Sequence, residues 1–275
     1  MLPPMANIQL QVLSDLHLES PAAYDIFSIE PKAPFLALLG DIGYVKDEGF
    51  FPFLRRQLSI FRVVFMVLGN HEAYHSSWTE TKSNLERFKE ELDEASRRGE
   101  ALGKLVLLDQ TRYDISPTLT ILGCTLFSYI TEEQMESVSF GLNDFYHIRD
   151  WSVEDHREAH AADLSWLNAE IDSISRLDPG RKVIILTHYC PSTHEEVVDP
   201  RHNNSKLSSG FMTDLLNEQC WQSEIVTLWA FGHTHFNCDF RDVTTGKRVM
   251  TNQRGYYFSQ STGFNAEKVV ELKDT

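Results

Sequence analysis

The stretch Val226-Thr-Leu-Trp-Ala-Phe231-Gly-His-Thr-His235 decides how this chain reads: a run of β-forming residues ends in a turn that carries two imidazoles. Four more runs end in a similar way. Residues 8–13 lead to Asp15-Leu16-His17, and residues 35–39 lead to Gly40-Asp41. Residues 63–68 lead to Gly69-Asn70-His71-Glu72, and residues 183–186 to Thr187-His188. Apolar runs of this length without alternation read as strands of a sheet covered on both faces. In open α/β sheets, ligands collect beyond the carboxyl ends of the strands. Five strand ends would therefore deliver Asp15, His17, Asp41, Asn70, His188, His233 and His235 to one rim, which reads as a metal site.

Outward from that rim, strand and helix signals alternate. Leu85, Phe88, Leu92 and Ala95 recur at helical spacing, so an amphipathic helix is expected over about 78–98. Three short β-like runs follow at 104–108, 112–115 and 119–122, and their spacing suggests a meander in a second sheet. Leu164, Leu167, Ile171 and Ile174 mark a helix over about 153–176 that Pro179-Gly180 ends. Two β-like segments near 238–243 and 247–251 flank Gly246, and a last strand is expected at 268–272. The expected class is α/β: a four-layer sandwich of two mixed β-sheets flanked by helices. No linker or repeat divides the 275 residues, so one domain over 1–275 is expected.

The totals narrow the function. Hydrophobic content of 42% and charged content of 24% describe an ordinary globular protein. A formal net charge of −15 weighs against a nucleic acid partner, and no basic run is present, Arg97-Arg98 on an expected helix being the nearest thing. Residues 1–7 lack the basic region and apolar core of a signal peptide, and no apolar stretch approaches about 18 residues. A cytoplasmic location without membrane contact is expected. Cys124, Cys190, Cys220 and Cys238 form no CxxC pair and read as reduced thiols. Cys190, two residues after His188, is a minor ligand candidate.

Carboxylate, imidazole and amide oxygen suit hard and borderline divalent ions, and the absence of thiolates argues against a structural zinc site. Seven ligands exceed one tetrahedral ion and suit two ions about 3.5–4 Å apart with solvent between them. A carboxylate can bridge and an imidazole cannot, which makes Asp41 a candidate bridge.

Together these motifs resemble the calcineurin-like metallophosphoesterase superfamily, whose pattern runs DxH, GDxxD, GNH(D/E), a lone His, then GHxH. The match spans residues 15–235. The resemblance implies the two-sheet sandwich and a dinuclear centre of manganese, iron or zinc. It implies that Asp15, His17 and His235 hold one ion, that Asn70, His188 and His233 hold the other, and that Asp41 bridges them. It places His71 outside the metal ligands, as general acid or phosphate contact. Two cations acidify a bridging water to make the nucleophile and offset charge on the phosphoryl oxygens, while an imidazole protonates the leaving alkoxide. The expected activity is hydrolysis of a small soluble phosphoester, mono- or diester. Serine/threonine protein phosphatase, non-catalytic scaffold and nuclease are the competing readings. Oligomeric state is not legible.

The pattern departs from the family at one place. The second Asp of GDxxD is Tyr44, and in related protein phosphatases that Asp pairs with the His at the His71 position. Asp47 and Glu72 are the nearest substitutes in sequence, and Tyr44 itself is a minor ligand candidate by its similarity to purple acid phosphatases. The Arg that follows GDxxD in serine/threonine phosphatases is also missing, which weighs against a protein substrate. Two segments show no clear element, about 140–151 and 191–210, and read as lid-like loops. Tyr146, His147, Arg149, His202 and Asn203 are their candidate substrate contacts. His156 and His160, one turn apart among Arg157, Glu158 and Asp163, are expected to face solvent.

Overall fold

The computed structural model describes residues 8–272. In chain order its elements are β1 (Ile8–Leu13), β2 (Phe35–Leu39), α1 (Phe50–Leu58), β3 (Val63–Val67), α2 (Trp78–Arg97), β4 (Lys104–Leu107), β5 (Thr111–Asp114) and β6 (Leu119–Cys124). There follow α3 (Met135–Gly141), α4 (Asp144–His147), α5 (Val153–Leu177), β7 (Lys182–Thr187), α6 (Gln219–Gln222) and β8 (Val226–Phe231). The chain then forms β9 (Asp239–Arg241), β10 (Arg248–Thr251), the short pair β11 (Gly255–Tyr256) and β12 (Ser259–Gln260), and β13 (Val269–Leu272). One sheet has the order β13-β1-β2-β3-β4 and the other β5-β6-β7-β8-β10-β9. Both are parallel in the middle and antiparallel at β13, β5 and β9.

The missing alternation in the strands has a direct cause: successive side chains enter two different apolar layers. In β2, Leu36 and Leu38 pack with Phe50, Phe53 and Leu54 of α1 and with Leu85 and Phe88 of α2. Ala37 and Leu39 turn the other way, toward Ile184 and Leu186 of β7 and Ala230 of β8. In β7, Val183 and Ile185 meet Leu167, Ile171 and Ile174 of α5. The layers are helix, sheet, sheet, helix, as expected. Both long helices start at serine caps. Ser77 accepts from the Glu80 N–H at 3.2 Å, and Ser152 and Asp155 form a reciprocal capping box.

The expected meander at 104–122 is corrected. β4 pairs with β3 at the edge of the first sheet, while β5 and β6 form a hairpin in the second. The chain crosses between sheets at 108–110, and apolar pattern cannot distinguish a crossing from a turn. The segment 140–151 includes the end of α3 and the single turn α4. His156 and His160 are buried, not solvent-facing. Ser128 donates its N–H and hydroxyl to His156 Nε2, and His160 donates from Nδ1 to the Leu126 carbonyl at 2.9 Å. Their partners belong to the loop after β6 and are invisible in a sequence. Among the described residues no helix is long and apolar enough to cross a membrane.

Leu186 is fully buried between the sheets, whereas Leu177 is 83% exposed. Leu186→Ala is expected to lower the unfolding free energy by about 2–5 kcal/mol. Leu177→Ala should change it by less than about 0.5 kcal/mol. Urea unfolding of the two variants beside the parent checks both values.

Candidate metal centre

Parallel strands end at a common level, and the chain must turn sharply there to aim side chains at one point. Five of the seven expected ligands do so in the left-handed region: Asp15 (φ 53°), His17 (46°), Asp41 (54°), His233 (70°) and His235 (51°). Such backbone is uncommon outside glycine and clusters at functional sites. Gly40 has φ 87°, and a Cβ there would collide with His188 Nδ1. A Cβ at Gly232 would collide with Ser14 Oγ. The glycines of the GD and GH motifs thus permit the close approach of strands from both sheets.

The seven residues converge in two groups. His235 Nε2 lies 3.3 Å from Asp15 Oδ1 and 2.9 Å from His17 Nε2. His188 Nε2 lies 3.1 Å from both Asn70 Oδ1 and His233 Nδ1. Asp41 stands between them, with Oδ1 3.5 Å from His188 Nε2 and Oδ2 3.9 Å from His17 Nε2. Asp15-His17-His235 and Asp41-His188-His233 each place their ligand atoms close enough to share an ion. His17, Asp41 and His71 form a third such group, so distance alone does not separate His71 from the ligands.

Hydrogen bonds select which nitrogen each ring offers. His188 donates from Nδ1 to the Leu39 carbonyl at 2.8 Å, leaving Nε2 as a lone pair at the site. His17 donates from Nδ1 to Glu19 Oε1 at 3.2 Å with the same result. Burial pushes His17 down to about 4, His188 below its ordinary value and His233 well below it, so these rings are neutral, as ligation requires. Burial, together with the Glu72 and Asp15 carboxylates, pushes Asp41 well above the usual range. Neutral imidazoles around crowded carboxylates are an arrangement that added positive charge relieves.

The partner of His71 is neither Asp47 nor Glu72. His71 donates from Nδ1 to Glu19 Oε1 at 2.8 Å, the oxygen that also receives His17. Burial pushes the Glu19 carboxyl up, but the hydrogen bonds and charge interactions of His17 and His71 together outweigh it and hold Glu19 down at about 2. Glu72 instead accepts the N–H groups of Asp41, Ile42 and Gly69, tying the ends of β2 and β3 together. Asp47 accepts from the Tyr24 hydroxyl. The Tyr44 ring stacks near His71, with centroids 6.0 Å apart. The regular spacing Asp15-x-His17-x-Glu19 was a signal that could have identified Glu19.

Of the loop residues expected to touch substrate, only His202 lines the cavity above these groups. Tyr146 donates to the Phe140 carbonyl, His147 packs on Tyr74, and exposed Arg149 pairs with Glu80. Asn203 is exposed. The first loop contributes Asp144 instead, which is 2% exposed and accepts from Asn70 Nδ2 (2.8 Å), Tyr74 (2.6 Å) and Tyr189 (3.1 Å). A carboxylate only accepts, so Asp144 holds the amide nitrogen of Asn70 and turns its oxygen toward His188. No local signal distinguished Asp144 from Asp150 in the same loop. Sequence reading also missed Tyr256, which packs on His17 at 4.2 Å, and Gln253, which accepts the His235 N–H.

A sequence profile described as calcineurin-like phosphoesterase matches residues 9–237, and the chain belongs to that family. An uncharacterised protein of Acanthamoeba polyphaga mimivirus is 28% identical over 284 residues, covering 96% of each chain. The phosphopantetheinyl hydrolase of Mycobacterium tuberculosis shares the fold, with a TM-score of 0.61 and 17% identity over 91% of this chain and 90% of that one. A dimetal phosphatase of Danio rerio aligns with a TM-score of 0.51 and 14% identity, covering 89% and 86%. The family is dinuclear, and the clusters described here are where this chain could hold such ions.

If Asp144 orients Asn70, Asp144→Ala should weaken the binding of one of two ions by about 10- to 100-fold. Calorimetric titration of the metal-stripped protein with zinc checks this, and two unchanged binding events would detach Asp144 from the centre.

Proposed function

We propose that this protein is a metal-dependent phosphoesterase that hydrolyses a small phosphoester. The observation that carries the reading is the placement of Asp41 between two ligand groups, one carboxylate oxygen toward each. The ligand set fits two divalent cations, because the His17, His188 and His233 rings are buried and neutral and its carboxylates are crowded. Asp15, His17 and His235 would hold one ion, Asn70, His188 and His233 the other, with Asp41 shared. When bound, such a pair supplies positive charge at the phosphoryl oxygens and a water acidic enough to act as nucleophile at neutral pH. Oxygen and nitrogen ligands suit manganese, iron and zinc alike.

The chain's own groups do the rest. His71 lines the cavity, and its Nδ1–H is fixed on Glu19, so Nε2 is the atom turned to the site. Protonated there, it gives its proton to the leaving oxygen, and the Glu19 carboxylate stabilises the imidazolium before transfer. The same carboxylate orients His17, so one residue positions a ligand and the acid together. The Tyr256 hydroxyl, which also lines the cavity, lies 3.4 Å from His71 Nε2.

Metal-stripped protein reloaded with manganese should hydrolyse p-nitrophenyl phosphate, bis(p-nitrophenyl) phosphate or both, and the preferred one defines the ester class. No turnover of either with two ions bound would falsify the reading. His71→Ala should retain both ions and lose about 10²- to 10⁴-fold in kcat on an ester with a poor leaving group. An unchanged rate, or loss of an ion, would remove His71 from the acid role.

A further inference from the structure

The cavity above the ligand groups has a volume of about 390 Å³. Its floor is polar: Asp41, Asn70, His71, His233 and His235. Its far wall carries the apolar side chains of Leu142, Val197, Val198, Leu207, Phe211 and Met212, with Asn143, Asp199, His202, Ser205 and Ser208 among them. Leu142 and Val197 are buried and the other apolar residues half-buried. The wall begins at the floor itself, since the Phe211 ring stacks on His233 with centroids 4.9 Å apart and planes 30° apart.

The charges around this wall have one sign. Among the described residues no Lys or Arg lines the cavity, whereas Asp144 and Asp199 do. Arg201, in the same loop, is turned outward and held by both oxygens of Asp199. Lys206 is exposed and does not line the space. A second anionic group on the substrate would lose its hydration there without meeting a cationic side chain, apart from the His202 imidazole. An aliphatic group would remove apolar surface from water on both sides.

We infer that the substrate carries a single phosphoryl group on an uncharged, partly aliphatic remainder that lies against Val197, Val198, Leu207 and Phe211. This rests on the phosphoesterase reading above and goes beyond it, because the family's metal ligands say nothing about the leaving group. Polyphosphorylated compounds and acidic phosphopeptides are the classes this wall disfavours.

Non-hydrolysable probes test it without turnover. Metal-loaded protein would be titrated calorimetrically with methylphosphonate, butylphosphonate and 3-phosphonopropanoate, the last placing a carboxylate where the butyl chain ends. Butylphosphonate should bind about tenfold tighter than methylphosphonate or better, through its three further buried methylenes. 3-Phosphonopropanoate should bind no tighter than methylphosphonate. Val198→Lys should reverse that order in favour of the carboxylate. Equal affinity for the methyl and butyl compounds, or a preference for the carboxylate in the parent protein, overturns the inference and leaves the phosphoesterase reading standing. If none of the three binds with both ions present, the phosphoesterase reading fails and the inference falls with it.

Discussion

The carbonyl oxygen of Leu39 is the point at which the two sheets are held in register. It ends β2, and it accepts the Nδ1–H of His188 from the second sheet and the hydroxyl of Ser14 from the neighbouring strand. All three residues are completely buried. An unmatched polar group at such depth is costly, so the Leu39 carbonyl and the His188 ring satisfy each other across the two sheets. Thr125 repeats the device by donating to the Leu68 carbonyl, and the Asp15 carboxylate does so by accepting the His233 N–H. The seam between the sheets is apolar along the strands and polar only at their carboxyl ends. That polar end is where the ligand groups lie.

Local geometry there is held against its own preferences. Five left-handed non-glycine residues and a cluster of buried carboxylates and imidazoles are features that a structure selected for stability alone would avoid. The apolar layers on either side compensate. α1 and α2 cover one sheet, α5 and α6 cover the other, and the strands between them bury both faces. A stiff sandwich can hold a strained rim in one arrangement, which a dinuclear centre would need because the candidate ligands come from five separate strand ends.

Glu19 shows how a family pattern can change while its geometry persists. The GDxxD pattern that the chain resembles implies an Asp after the second strand to orient the His at the His71 position, and this chain has Tyr44 there. The carboxylate comes instead from the turn after β1. That residue already serves His17, so a single oxygen fixes two rings. The rings of Tyr44 and Tyr74 lie beside His71 and give that side of the site an aromatic lining.

The sequence by itself determined the class of fold, the five strands that feed the rim and the seven residues gathered there. Those features are local: a strand buried on both faces is a continuous apolar run, and a motif at its end needs no distant partner to be read. The long helices were legible for the same reason, as periodic apolar stripes. What only the tertiary structure decided was anything that depends on a second segment. It split the run from 104 to 122 between two sheets. It buried His156 and His160 against the backbone of a loop they do not adjoin. It assigned Glu19 to His71 and Asp144 to Asn70, a pair 74 residues apart. Hydrogen-bond partners and cavity walls are set by which elements pack together, and chain separation carries no record of that.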